Sequence, residues 1–232
     1  MNKILSKILL AASLLLLVTP PSLHAADLSV GATTWYTAWD FEWDSTSEST
    51  YEPGLLYGPV VSLAITPDLS LSFVFLYGKF EQTYSQPGYE ETSTMTRYDS
   101  DFTLNYRISN YFKLFAGTKI IRFTWDGGEH KAIGPGAGIS SIFPVGGNLF
   151  LLGNISGLYL YGEETVDPDT EKLNEYGYNG SIALAYYIPD SLTTISLGGR
   201  YQYVEIDYEG SFPDNNSRFY GVTLTAVYTF NI

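Results

Sequence analysis

Beyond its first 25 residues the chain offers one histidine, His130, in the run Asp126-Gly-Gly-Glu129-His130-Lys131. A histidine beside carboxylates is a general-base candidate, because its ordinary pKa lies near neutrality. No serine stands at a spacing from His130 that matches a hydrolase couple, so it reads as an exposed loop histidine and no catalytic residue is assigned. There is no cysteine, which removes thiol catalysis and thiolate metal sites. Asp167, Asp169 and Glu171 space three carboxylates two residues apart, a weak candidate for a hard cation that wants six to eight oxygens. The glycine and distal glutamate of a calcium loop are not recognisable there, so neither a metal nor a cofactor is expected. Gly134-Pro135-Gly136-Ala137-Gly138 echoes a dinucleotide loop, yet no helical pattern follows it.

A second group of polar residues falls on one parity of alternating segments: Arg97, Asp99, Asp101, Asn105, Arg107, Lys119, Arg200 and Gln202. If these segments wall a barrel, all eight line its lumen. They must then pair or stay wet, because unpaired buried charge is costly. They would form either a salt-bridged plug or an ion-conducting path. Glycines of the same parity (Gly117, Gly134, Gly136, Gly138, Gly198) either leave room for a path or accommodate Phe115 and Phe80.

The elements that must hold these residues are strands. Tyr (20) and Gly (22) are frequent and helix-favouring patterns are missing. Apolar alternation recurs over Leu28–Glu42, Gly54–Thr66, Leu69–Gln82, Met95–Ile108, Tyr111–Trp125, Ala132–Phe143, Asn148–Tyr161, Tyr176–Ile188, Leu192–Asp207 and Tyr220–Ile232. Tight turns and longer loops alternate between these segments. The fold expected is all-β, an antiparallel up-and-down barrel of ten strands, with eight or twelve reached if one hairpin is split or merged. A parity change at Ile120–Ile121 suggests a β-bulge. Pro59 and Pro135 each remove a ladder hydrogen bond, and a bulge near the loop end of the strand would accommodate them.

Residues 1–25 read as a secretory signal: Lys3 and Lys7, an apolar stretch from Ile8 to Val18, and small residues before a cleavage point after Ala25. Residues 26–232 then form the barrel domain. Net charge is −13, and −15 once Lys3 and Lys7 leave, which argues against nucleic-acid binding. Of 25 acidic residues, 22 lie in the longer loops or the strand ends beside them, leaving Asp27, Asp68 and Asp190 on the turn side. The loop rim should hold a negative potential that attracts cations.

The final segment, Tyr220 to Ile232, sets Tyr220, Val222, Leu224, Ala226, Tyr228, Phe230 and Ile232 against Gly221, Thr223, Thr225, Val227, Thr229 and Asn231. It resembles the closing strand of bacterial outer-membrane β-barrels, which ends in alternating hydrophobics with a near-terminal aromatic, here Phe230. The resemblance implies the cell outer membrane of a Gram-negative bacterium, a polar inside, and outer-membrane lipid or lipopolysaccharide as surroundings. It also implies dependence on the barrel-insertion machinery, and a first strand that pairs with the last. Ten strands are similar in number to the omptin surface proteases, which pair aspartates with an Asp–His couple, but that motif has no residue-by-residue counterpart here. The function expected is non-enzymatic: a narrow porin-like channel or an occluded structural barrel with an acidic extracellular rim. The alternative is a surface-binding or adhesion protein acting through the Tyr-rich acidic loops Thr83–Thr94 and Gly162–Glu175.

Overall fold

A computed structural model describes residues 27–43, 47–86 and 89–231, so the signal region lies outside the described residues. The strands are β1 (Asp27–Trp43), β2 (Ser47–Ala64), β3 (Leu69–Gln86), β4 (Tyr89–Arg107), β5 (Phe112–Trp125), β6 (Gly128–Gly146), β7 (Leu149–Val166), β8 (Asp169–Ile188), β9 (Thr193–Tyr208) and β10 (Asn215–Asn231). Each pairs antiparallel with its sequence neighbours, and β10 closes on β1 with Leu28 opposite Phe230 and Thr33 opposite Thr225. Closure leaves no unpaired edge, which hydrocarbon requires of a sheet.

The alternation explains why the wall is stable in lipid. On the outer face of β10, Tyr220, Val222, Leu224, Tyr228 and Phe230 are all exposed. On its inner face Thr225 meets Thr33 at 2.6 Å and Thr229 meets Ser29 at 2.9 Å, hydroxyl to hydroxyl. Around the barrel, exposed Tyr36, Tyr57, Tyr161, Tyr178 and Tyr220 ring the loop side, while Tyr106, Tyr111, Phe143, Tyr186 and Phe230 ring the turn side. Aliphatic residues such as Leu104, Ile155, Ile182 and Leu197 fill the space between. Two aromatic girdles around an apolar band are the lipid-facing signature of a membrane barrel.

Strands of 14 to 20 residues exceed the ~9–11 that cross a bilayer. The excess extends the sheet past the loop-side girdle. Gly162–Glu175, expected as a loop, is therefore a hairpin of β7 and β8 paired residue by residue from Gly162–Leu173 to Val166–Asp169. On the turn side, the Thr66 hydroxyl accepts from the backbone N–H of Leu69 at 3.0 Å, and the Ser109 hydroxyl from that of Phe112 at 3.1 Å. Gly147 takes a positive φ of 55°, which glycine adopts without a Cβ penalty.

The bulge expected at Ile120–Ile121 is absent. Register between β4 and β5 is unbroken from Arg107–Lys113 to Thr96–Thr124. Ile121 and Phe123 share the inner face with Lys119, so the chemistry of that face changes and its parity does not. Register shifts fall instead between Thr37 and Trp39, where β1 meets β2, and between Pro144 and Gly146, where β6 meets β7. Pro59 and Pro135 lie mid-strand and not at bulges. Pro59 pairs with Ala32, while the facing β2–β3 ladder skips from Tyr57 to Val60. Pro135 pairs with Thr118, while the β6–β7 ladder skips from Ile133 to Gly136. Each proline turns its missing N–H to an interruption in the ladder.

Candidate functional site

The lumen is layered. Nearest the turns, small polar side chains such as Thr33, Ser72, Ser156, Ser181 and Thr225 surround a cavity of about 590 Å³. Asn105 belongs to this layer, its Nδ2 donating to Ser72 Oγ at 2.8 Å. Arg107 is inward by parity yet exposed at the turn-side mouth, with its backbone N–H bound to the Asp68 carbonyl at 2.7 Å.

Above that cavity the charged residues meet. Arg97 Nη2 donates to Asp99 Oδ2 at 2.7 Å and to Gln202 Oε1 at 3.0 Å. Lys119 donates to both Asp99 and Asp101, the latter at 3.0 Å. Arg200 Nε donates to Asn179 Oδ1 at 2.8 Å, and its guanidinium lies 4.4 Å from the Trp35 ring centroid. Arg97, Asp99, Lys119 and Gln202 are buried, and Asp101 and Arg200 are half-buried at the edge of the lower cavity. Among the described residues, Arg97 Nε and Nη1 have no hydrogen-bond acceptor. Its cationic centre instead lies 4.0 Å from the Phe219 centroid and 5.3 Å from that of Phe123, a cation–π contact that partly offsets the missing acceptors.

Next comes a layer of rings. Trp39 stacks on Tyr51 at 4.1 Å and 9°, and on Phe123 and Phe219 at 5.1 and 5.2 Å, with Phe80 edge-on at 5.3 Å. Trp39 Nε1 donates to Ser217 Oγ at 3.1 Å. Leu158, Leu160, Leu173, Val204 and Ile206 complete the cluster from the opposite wall. The expectation that the inner face is polar throughout is thus corrected: in the loop half of the barrel it is a hydrophobic core. Glycines fit around this packing. A Cβ on Gly54 would lie 2.9 Å from Phe80 Cδ1, and beside the turn-side cavity one on Gly138 would lie 2.6 Å from Phe115 Cζ.

His130 is buried, not exposed, and this overturns its reading as a loop histidine. It lies within β6 on the same parity as Ala132, while Glu129 and Lys131 turn outward to Arg122 (2.7 Å) and Glu163 (2.6 Å). Its Nδ1 meets Glu164 Oε2 at 2.9 Å and its Nε2 meets Glu175 Oε1 at 2.5 Å. Glu164 also accepts from Tyr208 Oη at 2.6 Å. Burial alone would lower the histidine pKa, but the Glu175 and Glu164 carboxylates more than reverse this and hold it at about 9. Burial, reinforced by Glu164, raises that of Tyr208. Both ring nitrogens therefore carry protons at neutral pH, and neither is left to activate a hydroxyl or a water.

Sequence neighbours misled here, since Asp126 and Glu129 are not the partners. Pairing His130 with Glu164 needs the β6–β7 register, which sets those two residues opposite each other. Glu175 then follows across β7 and β8, where it faces Leu160. Asp167, Asp169 and Glu171 form no cation cage either. Glu171 accepts from Ser211 N at 2.6 Å and Phe212 N at 2.9 Å, tying the β9–β10 connection to the hairpin. Among the described residues, no three His, Asp or Glu side chains are arranged to hold a metal.

With this architecture in view, comparison with solved structures is informative. The outer-membrane protease OmpT of Escherichia coli superposes with a TM-score of 0.60 over 92% of this chain and 99% of its own, at 11% identity. The chain has the fold of the bacterial outer-membrane β-barrels. Its two aromatic girdles and the apolar band between them form a lipid-facing surface. Neisserial surface protein A matches over 89% of this chain and 100% of its own at 10% identity and a TM-score of 0.38. Ail, the attachment invasion locus protein of Yersinia pestis, matches over 87% and 98% at 9% identity and a TM-score of 0.33. No protein-family description and no curated protein sequence matches the chain. At 11% identity the likeness to OmpT extends to the fold alone.

Proposed function

We propose that the protein is a non-enzymatic, occluded outer-membrane barrel with an acidic extracellular rim, not a conducting pore. The ring layer carries this reading. Trp35, Phe80, Phe219 and Leu160 are each no more than 2% exposed, and they come from four different strands around the lumen. A hydrated ion needs a continuous wet path, and a dry hydrophobic constriction of this kind blocks one. Beneath it, Asp99 bridges Arg97 and Lys119, so these charges are paired as in a plug and not free as in a filter. The non-enzymatic part rests on His130, whose two nitrogens are both held by carboxylates.

Planar-bilayer recording tests it. The wild-type protein should be silent, and Trp39→Ala combined with Phe219→Ala should admit current by removing two of the stacked rings. Steady cation-selective steps in the wild type, diminished by Asp99→Asn, would establish a pore and discard the occluded reading.

A further inference from the structure

Above the ring layer the barrel holds a second cavity, of about 320 Å³, between the extracellular ends of the strands. This is within the size range of small-molecule pockets, roughly 300 to 1,000 Å³. Phe41, Trp39, Tyr51 and Trp125 supply aromatic wall, and Glu164 and Tyr208 supply polar groups. The carboxylate is only half used. Oε2 of Glu164 takes both the His130 Nδ1 and Tyr208 Oη protons, whereas Oε1 has no protein donor among the described residues. One imidazolium between two carboxylates leaves a net negative charge at the cavity wall. Carboxylates crowd the surrounding rim, which further favours cations over anions. The rings beneath already attract one cation, since Arg97 lies 4.0 Å from the Phe219 centroid.

We infer that this cup is a binding site for a small organic cation, an amine or quaternary ammonium on an apolar body, entering from the extracellular side. The aromatic wall would hold the apolar body and attract the positive charge, and Glu164 Oε1 would supply the counter-charge. An anion would meet Glu164 and the acidic rim. A neutral apolar molecule would desolvate Glu164 Oε1 and give it no partner. The inference goes beyond the occluded reading and needs the ring layer only as a floor. A conducting wild-type protein would overturn that reading and leave cation binding measurable.

The test is a calorimetric titration of the whole mature protein in lipid nanodiscs, with tryptophan fluorescence in parallel. The probes are benzyltrimethylammonium, benzyl alcohol and benzoate. The cation should bind saturably, at least about tenfold more tightly than the alcohol, and benzoate should not bind. Glu164→Gln should weaken the cation about tenfold, with folding checked by heat-modifiable gel migration, and Glu163→Gln, on the outer face, should not. Equal binding of cation and alcohol, or equal losses in the two glutamate variants, would overturn the proposal. If Glu164→Gln fails to fold, the three probes on the wild type decide alone.

Discussion

The two halves of the lumen share one backbone geometry and have opposite interiors. On the turn side, serine and threonine hydroxyls surround about 590 Å³ of open space. On the loop side, rings and branched aliphatics close the barrel so tightly that Leu56, Phe80 and Leu160 lose all contact with solvent. The strand pairing that carries both halves is nearly regular, so the barrel wall does not set the difference. Residue size on the inner parity does. A ten-stranded barrel leaves little more than side-chain space, and large side chains fill it while small ones leave it open. The ion network of Arg97, Asp99, Lys119 and Gln202 lies at the boundary, where charge can be satisfied by partners above the wet cavity.

Substitutions that unseat the closed half should have the largest effects. Asp99→Ala would leave Arg97 buried without its carboxylate and should cost about 3–5 kcal/mol, read as a lowered urea midpoint in lipid. Trp39→Ala removes the ring that five others contact and should cost a comparable amount, about 3–5 kcal/mol, by the same measurement. If either variant unfolds like the wild type, the closed half is not the stabilising core.

The histidine clamp comes next. Its folded pKa of about 9 lies above the ordinary 6.5, so its contribution is complete below pH 6.5 and is lost as pH rises through 9. That contribution is of order 3 kcal/mol, and His130→Gln should abolish the decline in stability between pH 6.5 and 9. A wild-type protein with flat stability across that window would show that the clamp adds nothing. Ala132→Leu, aimed into the closed half, should destabilise by about 1–3 kcal/mol through overpacking. Ser156→Ala, in the wet half, should fall within about 0.5 kcal/mol of wild type. Reversal of these last two would erase the distinction between the halves.

How much of the site was legible followed from the range of the signal. Arg97, Asp99 and Lys119 were identifiable as inward residues because alternation is a local property of each strand. That Asp99 joins Arg97 to Lys119 adds the register of β4 against β5, and that Gln202 completes the set adds the reach of side chains across the barrel. Ile121 and Phe123 were misread for the opposite reason. A run of inward hydrophobics looks like a slipped strand when the inside is assumed polar, and only a view across the lumen shows Trp39, Phe80 and Phe219 gathered to receive them.

The sequence by itself determined the wall: ten alternating segments, aromatic at both ends of their outer face, with tight turns on one side and acidic connections on the other. Period-two alternation is covalently fixed, so the lipid-facing surface can be read one strand at a time. Tertiary structure decided what fills the barrel, because packing joins residues far apart in the chain, as when Trp39 donates to Ser217, 178 positions away. It also turned His130 from a surface residue into the centre of a buried clamp, since its two glutamates arrive on neighbouring strands that only pairing brings alongside.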